Sequence, residues 1–281
     1  SARFYPDDIP ALAKGLARLL EDATLREGWA ARGRTRAVQL TWAETGRRTL
    51  RVMEAVLRGE PSAGEATQSV GGDTIHNKSL STGGAPTAKG HTPRWDGQVV
   101  WIAPWQNSSG YATEALSFAH GVDEHLKLEL VEAAKHKSSE YVGGLPPEQR
   151  NWLRSKLRGR VQLAGKVVIQ HLPGSALSHY PNAAYHIART MFETDRLPSD
   201  WVDRCNLMDE VWVPSHFNLE TFVAAGVARD KLVLVPGTVD ERVFDPRRHE
   251  PLALPRRAGF NFLFVAQWYV RKGWDALLAS Y

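Results

Sequence analysis

The sequence predicts an α/β fold built on a Rossmann-like parallel sheet, and one stretch of the chain carries most of that prediction. Residues 209–246 have the pattern of a strand, a helix and a second strand in close succession. A connection this short joins two neighbouring parallel strands, and a parallel sheet needs helices on both of its faces. Further apolar strands alternate with helical patterns between residues 96 and 250, which extends the same arrangement.

Each element of the 209–246 stretch has a local cause. Residues 210–214 are apolar and partly β-branched, as expected of a buried strand. Ser215 follows at the N-cap position of a helix, where its hydroxyl can accept a backbone N–H. Gly226 ends that helix, because a left-handed residue is needed there. A second buried strand at 231–235 is stopped by Pro236 and Gly237.

Composition narrows the class of protein. The chain has 281 residues, 43% hydrophobic and 23% charged, which is ordinary globular composition. The net charge is +4, and the basic residues are spread along the chain. The sequence lacks the basic stripe with interleaved aromatic residues that is typical of nucleic-acid binding. A basic cleft for a diphosphate, or a face resting on anionic lipid, fits this charge. The single cysteine, Cys205, permits no internal disulfide and favours a reducing compartment.

The chain divides into four predicted segments. Residues 1–59 are helical in pattern, with helices starting near Pro10, near Asp22 and at Thr41. The second segment, 60–95, is rich in Pro, Gly, Ser and Thr, and is predicted to be a flexible linker. The third, 96–250, is the sheet domain. The last, 251–281, contains a predicted strand at 260–266 and a predicted helix at 276–281. No apolar run reaches the roughly 20 residues of a membrane span, and no signal peptide is expected.

Polar and small residues follow the predicted strands of the sheet domain. Strand 99–103 leads into a loop that contains Asn107, Ser109 and Gly110, and strand 166–170 leads directly into His171. Because the carboxyl ends of parallel strands form the ligand crevice of such sheets, these residues are candidates for a site. The loop lacks the G-x-G-x-x-G pattern, which disfavours a nicotinamide dehydrogenase.

Two carboxylates, Glu193 and Asp195, follow a further strand at 184–188. Carboxylates are good ligands for sugar hydroxyls, and they are equally able to pair with Arg189 and Arg196 on the surface. They are too close together in the chain to form a hydrolase carboxylate pair that flanks a sugar.

Spaced motifs in the 209–246 stretch resemble a known family. They are W-V-P-S-x-F-N from residue 212, A-G-V from residue 225 and K-L-x-x-x-P-G-x-V-D-x-x-x-F-D-P from residue 231. Together they resemble the end of the N-terminal domain in two-domain (GT-B) glycosyltransferases of family 4, also called group 1. Residues 1–58 resemble the C-terminal tail of the same family. Residues 251–281 resemble the start of its nucleotide-sugar-binding domain, a second Rossmann-like domain that is truncated here. Because the tail precedes the N-terminal domain, the resemblance implies a fragment of a tandem protein. The alternative is a helical cap that packs on the sheet domain.

The resemblance implies a retaining hexosyltransferase of polysaccharide biosynthesis. Such an enzyme moves a hexosyl group, such as mannosyl or glucosyl, from a nucleotide sugar to a glycan or a lipid-linked acceptor. It implies no metal and no cofactor beyond the donor, and a cytoplasmic location, at most peripheral at the inner membrane face. It places His171 near the reacting sugar as the catalytic residue, and Arg271 and Lys272 on the donor diphosphate. It also places five residues in the cleft or at the acceptor: Asn107, Ser109, Gly110, Glu193 and Asp195.

The family's acidic motif, with two spaced glutamates beside the donor sugar, has no counterpart in these 281 residues. The chain by itself is therefore expected to be inactive or nearly so. Two alternatives stay open: a non-catalytic carbohydrate-binding or assembly module with half of the fold, and a different Rossmann-like enzyme such as a nucleotide-sugar epimerase or dehydrogenase. The missing glycine pattern argues against the second.

Overall fold

The structure is a computed structural model, and it describes residues 9–37, 47, 51, 97–123, 125–133, 138–238, 244–251 and 262–280. The chain separates into two compact units. One unit combines residues 1–39 with 242–281, and the other covers residues 40–241. The predicted linker at 60–95 and the third helix, predicted from Thr41, lie outside the described residues apart from Arg47 and Arg51, both of which are helical.

The first unit contains helices from both ends of the chain. Helix α1 covers Ile9–Glu21 and helix α2 covers Ala23–Ala37, close to the predicted bounds. The Asp22 carboxylate accepts the backbone N–H of Leu25 at 2.8 Å and so caps α2. A C-terminal helix of the same unit, Trp274–Ser280, packs against α1.

The second unit consists of strands and helices in alternation. Its strands are β1 (Gln98–Ala103), β2 (Lys127–Glu132), β3 (Leu157–Arg158), β4 (Val167–His171), β5 (Tyr185–Arg189), β6 (Glu210–Val213) and β7 (Leu232–Leu234). Its helices are α3 (Gly110–Val122), α4 (Ser139–Gly144), α5 (Pro147–Lys156), α6 (Ser199–Asn206) and α7 (His216–Ala225). The segment Trp274–Ser280 of the first unit is accordingly α8.

These strands form one parallel sheet in the order β3-β2-β1-β4-β5-β6-β7. The order runs outward from β1 in one direction and from β4 in the other, as in Rossmann-like sheets. The predicted fold class is therefore confirmed as an α/β fold with a parallel sheet. The predicted pairing of the two strands in the 209–246 stretch is confirmed as well, because β6 lies beside β7 and is parallel to it.

Alternate side chains of the strands enter two separate cores. One face, with Trp101, Ile169 and Ile187, packs under α3, which contributes Phe118. The opposite face, with Val168 and Val211, packs under α6 and α7. The period of two in a strand produces this division, and it explains why the strands are almost continuously apolar. The two Trp side chains at 101 and 212 are fully buried, and both lie on the α3 side of the sheet.

Local signals in the 209–246 stretch are confirmed in detail. Ser215 is extended (φ −149°) and its side chain accepts the N–H of Asn218, so it is the N-cap of α7. Gly226 is left-handed (φ 109°) at the C-cap. A side chain at that angle would be strained, so glycine is required by the backbone.

One predicted strand is wrong. Residues 262–267 have no regular secondary structure, although a strand was predicted at 260–266. A strand needs a neighbour that satisfies its N–H and C=O groups, and these residues pair with none of the described strands. Leu263 is 88% exposed and Val265 is 83% exposed, so the apolar pattern that suggested burial is not buried within the described part of the chain. Two short elements, α4 and β3, were not predicted, because runs of six and two residues carry no periodicity.

Candidate functional site

The strand order creates a crevice at the carboxyl edge of the sheet, between β1 and β4. The chain leaves β1 toward β2 on one side, whereas it leaves β4 toward β5 on the other. Loops that follow these two strands therefore diverge, and ligands of open α/β sheets bind where they part. Residues 104–109 follow β1 and residues 172–173 follow β4, so the sequence-predicted candidates Ser109 and His171 lie at this edge.

The loop after β1 ends at Ser109, which caps the N-terminus of α3. Ser109 is extended, and its Oγ accepts the N–H of Ala112 at 3.3 Å, which makes it the N-cap of α3. Asn107 donates its backbone N–H to the carbonyl of Pro104 at 3.1 Å and tightens the turn. A Cβ built on Gly110 would meet no atom within 4 Å. Packing within the described residues therefore does not require glycine at this position.

Three charged or polar side chains meet beneath α3, and they form the most organised polar group at this edge. His171 is the last residue of β4, and Arg189, the last residue of β5, is its partner in the sheet register. Both side chains turn to the α3 side, where Glu114 of that helix lies between them. We call Glu114, His171 and Arg189 the buried triad.

Short contacts hold the buried triad together. One carboxylate oxygen of Glu114, Oε1, lies 2.5 Å from Nη2 of Arg189. The other, Oε2, lies 3.2 Å from Nε of Arg189 and 2.8 Å from Nε2 of His171. An ionised carboxylate can only accept hydrogen bonds, so Nε2 of His171 carries the proton. Arg189 also donates to the carbonyl of Val235, which ties the end of β7 to the same group.

Burial and charge set the protonation of the triad. The side chains of His171 and Arg189 are 0% exposed and that of Glu114 is 16% exposed. Burial by itself raises the pKa of Glu114, but the Arg189 charge and the hydrogen bond from His171 outweigh it, so the pKa is lowered. Burial lowers the pKa of His171 more strongly than the contact with Glu114 raises it. At neutral pH the triad is thus a carboxylate, a guanidinium and a neutral imidazole.

Aromatic rings enclose the imidazole. Trp101 stacks on His171 with centroids 6.3 Å apart, while Tyr111 and Phe118 approach edge-on at 5.8 Å and 6.1 Å. The Nδ1 atom of His171 is buried and has no hydrogen-bond partner in the described residues. With Nε2 protonated, Nδ1 is an acceptor, and an unsatisfied buried acceptor costs about 1–3 kcal/mol. The imidazole is therefore held by its Nε2 contact with Glu114 and by the surrounding rings.

The loop after β7 approaches the triad closely. A Cβ built on Gly237 would lie 3.0 Å from Oε1 of Glu114, so the backbone passes the carboxylate at a distance that favours glycine. The ends of β4, β5 and β7 and the first turns of α3 therefore converge on Glu114. Among the three members of the triad, Glu114 has the largest exposed fraction.

Four further predicted site residues do not belong to the buried triad. Glu193 and Asp195 are exposed in the loop after β5, at the same edge of the sheet. The suggested pairing of these carboxylates with Arg189 is not seen, since Arg189 is buried and binds Glu114. Lys272 belongs to the first unit, where it is half-buried and ends a short 3-10 helix, Val270–Lys272, just before α8. The side chain of Arg271 lies outside the described part of that helix.

Sequence analysis did not identify Glu114 or the buried role of Arg189. A signal for Glu114 existed: it lies four residues before Phe118 and three after Tyr111, on the apolar face of α3. A charged residue on such a face needs a buried partner. The partner could not be identified, because Arg189 is 75 residues away in the chain.

Within the described residues, no group of three or more His, Cys, Asp or Glu side chains is arranged to hold a metal ion. None of the described helices is both long enough and apolar enough to cross a membrane. Comparisons with family models, with curated proteins and with solved structures gave no match to this chain. Any functional assignment therefore depends on the residues and the geometry given above.

Proposed function

We propose that the chain carries the acceptor-side sheet unit of a retaining glycosyltransferase that uses a nucleotide-sugar donor. The single observation that carries the proposal is the arrangement at the carboxyl edge: β1 and β4 diverge there, and the buried triad lies directly beneath the loops that follow them. Of the motifs that resemble family 4 transferases, the first spans the end of β6 and the start of α7. The second lies at the end of α7, and the third begins at β7.

The proposed reaction is the transfer of a hexosyl group. In the proposed reaction an acceptor hydroxyl oxygen bonds to the anomeric carbon, the bond from that carbon to the diphosphate breaks, and the diphosphate leaves with the electron pair. The hydroxyl proton leaves with the diphosphate or to solvent. Lys272 and Arg271 are proposed to stabilise the charge on the leaving diphosphate, as cations do in such reactions. Glu193, Asp195 and the loop with Asn107, Ser109 and Gly110 are proposed to bind acceptor hydroxyls.

The buried triad has a positioning role in this proposal. His171 has no exposed surface, so direct contact with a sugar requires the surrounding aromatic rings to move. Glu114 is held in one orientation by three hydrogen bonds, and it fixes the ends of β4, β5 and β7 relative to α3. A substitution in the triad is expected to disturb several loops of the crevice together.

The complete burial of His171 also favours a second candidate, a non-catalytic carbohydrate-binding or assembly module that keeps half of the fold. A nucleotide sugar and a glycan or lipid-linked acceptor are the proposed partners of the first candidate, with no metal or other cofactor. Its proposed location is the cytoplasm, with a lipid-linked acceptor reached at the inner membrane face. Nucleic acid is not a proposed partner.

The test is a calorimetric titration of nucleotide sugars and nucleoside diphosphates into the longest natural form of the protein. One nucleoside diphosphate should bind, and Lys272→Ala should weaken that binding by about tenfold, the loss of one charge-assisted contact. Lys14→Ala is the matched control, because Lys14 is an exposed lysine on α1 of the same unit. Turnover of the bound nucleotide sugar supports the enzyme. Absence of binding in the folded protein refutes it and favours the non-catalytic module.

A further inference from the structure

A cavity of about 340 Å³ opens beside the crevice, on the β2 and β3 side of the sheet. Its polar wall consists of Gln106 from the loop after β1, Ser138 and Ser139 from the start of α4, and Arg150 and Arg154 from α5. The buried side chain of Leu153 contributes to its apolar wall. None of the sequence-predicted site residues lines this cavity, so it is distinct from the buried triad.

The two arginines give the cavity a net positive charge. Arg150 and Arg154 are four residues apart in α5, a spacing that puts both side chains on one face of a helix. Arg150 donates to the backbone carbonyl of Gly143 at 2.9 Å, which orients its guanidinium without neutralising it. None of the described residues that line the cavity carries a carboxylate. Two guanidinium groups on one concave surface favour an anion.

Neutral groups beside the arginines are already oriented. The side-chain amide N–H of Gln106 donates to Glu132 at 3.2 Å, and its backbone N–H donates to the same carboxylate at 2.9 Å. That leaves the amide oxygen of Gln106 as an acceptor for a hydroxyl. The Oγ of Ser138 accepts the N–H of Tyr141 at 3.0 Å, so its own hydroxyl proton can be donated. The cavity therefore offers both charged donors and neutral hydroxyl partners.

We propose that this cavity binds a small phosphorylated polyol, such as a sugar phosphate. Its volume lies near the lower end of the roughly 300–1,000 Å³ typical of small-molecule pockets. A phosphate monoester carries a charge of about −1.5 to −2, which matches two guanidinium groups better than a single carboxylate does. The planar fork of arginine binds phosphate oxygens in pairs. The remaining hydroxyls of the ligand meet Gln106, Ser138 and Ser139.

The cavity lies beside the loop after β1, which is proposed to bind acceptor hydroxyls. Under the proposed function the cavity therefore binds a phosphorylated end of that acceptor. That identification of the ligand's role rests on the proposed function. Binding itself does not, because it depends only on the cavity. Nucleoside-diphosphate binding is assigned to Lys272 in the other unit, so the two proposals can fail separately.

The test is titration of the whole chain with glucose 6-phosphate, followed by ligand-detected NMR, with glucose, glucuronate and inorganic phosphate as comparison ligands. Glucose 6-phosphate should bind with a Kd of about 1 mM or lower. Glucose should not bind measurably, and glucuronate should bind more weakly than the phosphate ester. Arg154→Ala should weaken binding at least tenfold, equivalent to about 1.4 kcal/mol.

Arg160→Ala is the matched control, because Arg160 is an exposed arginine of the same unit that does not line the cavity. Arg154 is the preferred variant, since Arg150 also holds the carbonyl of Gly143 and its loss could alter α4. An unchanged melting temperature of Arg154→Ala shows that the fold is intact. The proposal is overturned if glucose 6-phosphate does not bind, if glucuronate binds as tightly, or if Arg160→Ala weakens binding as much as Arg154→Ala. If the protein binds the phosphate ester but no nucleoside diphosphate, the result supports the proposed ligand of the cavity and contradicts the proposed transferase function.

Discussion

Replacing Glu114 by methionine tests the central role of the buried triad. Methionine has nearly the volume of glutamate, so Glu114→Met removes the charge and the acceptor oxygens while largely preserving packing. Three hydrogen bonds are lost, two from Arg189 and one from His171. Arg189 is then a fully buried cation whose remaining hydrogen bond in the described residues goes to the carbonyl of Val235.

The expected magnitude follows from that unpaired charge. Removal of one partner from a buried ion pair typically costs about 3–5 kcal/mol. The whole stability of a domain is about 5–15 kcal/mol, so Glu114→Met is expected to leave the sheet unit marginally stable. Replacing both partners with apolar residues is often close to neutral. The double variant Glu114→Met with Arg189→Met should therefore be more stable than Glu114→Met alone.

Urea denaturation of Glu114→Met, Arg189→Met and the double variant measures the differences in the free energy of unfolding. Asp203→Ala serves as the control, because Asp203 is exposed on α6, and it should change stability by less than about 0.5 kcal/mol. A loss below about 1 kcal/mol for Glu114→Met would show that the triad is not a strongly coupled buried pair. A double variant that loses the full sum of the two single losses would refute the coupling.

Three further predictions concern pH, glycine and cysteine. Burial lowers the pKa of His171, and Arg189 and His171 lower the pKa of Glu114 despite its burial. On acidification the unfolded chain therefore binds protons at these two groups before the folded chain does. This uptake begins below about pH 6.5 for His171 and below about pH 4.3 for Glu114. Urea midpoints should thus fall as the pH drops through these values, and a midpoint that rose on acidification would contradict this assignment. Gly174→Ala should lower the melting temperature, because the added Cβ would lie 2.8 Å or less from atoms of the Trp201 ring. Gly110→Ala is the control and should not lower it, because a Cβ there meets no atom within 4 Å. Equal effects of the two variants would contradict this packing argument. Cys205 is buried with its pKa raised to about 12, so iodoacetamide should modify it only on unfolding, and rapid alkylation of the native chain would refute its burial.

Local chemistry determined much of the fold from sequence alone. Ser215 and Gly226 were predicted as the ends of one helix, and the structure confirms both, because a cap depends on residues within one turn. Strands β1, β4, β5, β6 and β7 follow from their apolar runs, within one or two residues at each end. The prediction of a strand at 260–266 was wrong, because it assumed that the apolar residues there are buried, whereas Leu263 and Val265 are exposed.

Only the tertiary structure determined which polar groups meet. His171 was predicted to lie at the end of a strand, but sequence could not show that it is enclosed by Trp101 and Tyr111. Glu114 lies 57 residues before His171 and 75 residues before Arg189, and no local pattern encodes contacts over such separations. The strand order, which places β4 between β1 and β5, brings the three side chains under one helix. Periodicity therefore specified which residues are buried, whereas the sheet topology decided which of them became partners.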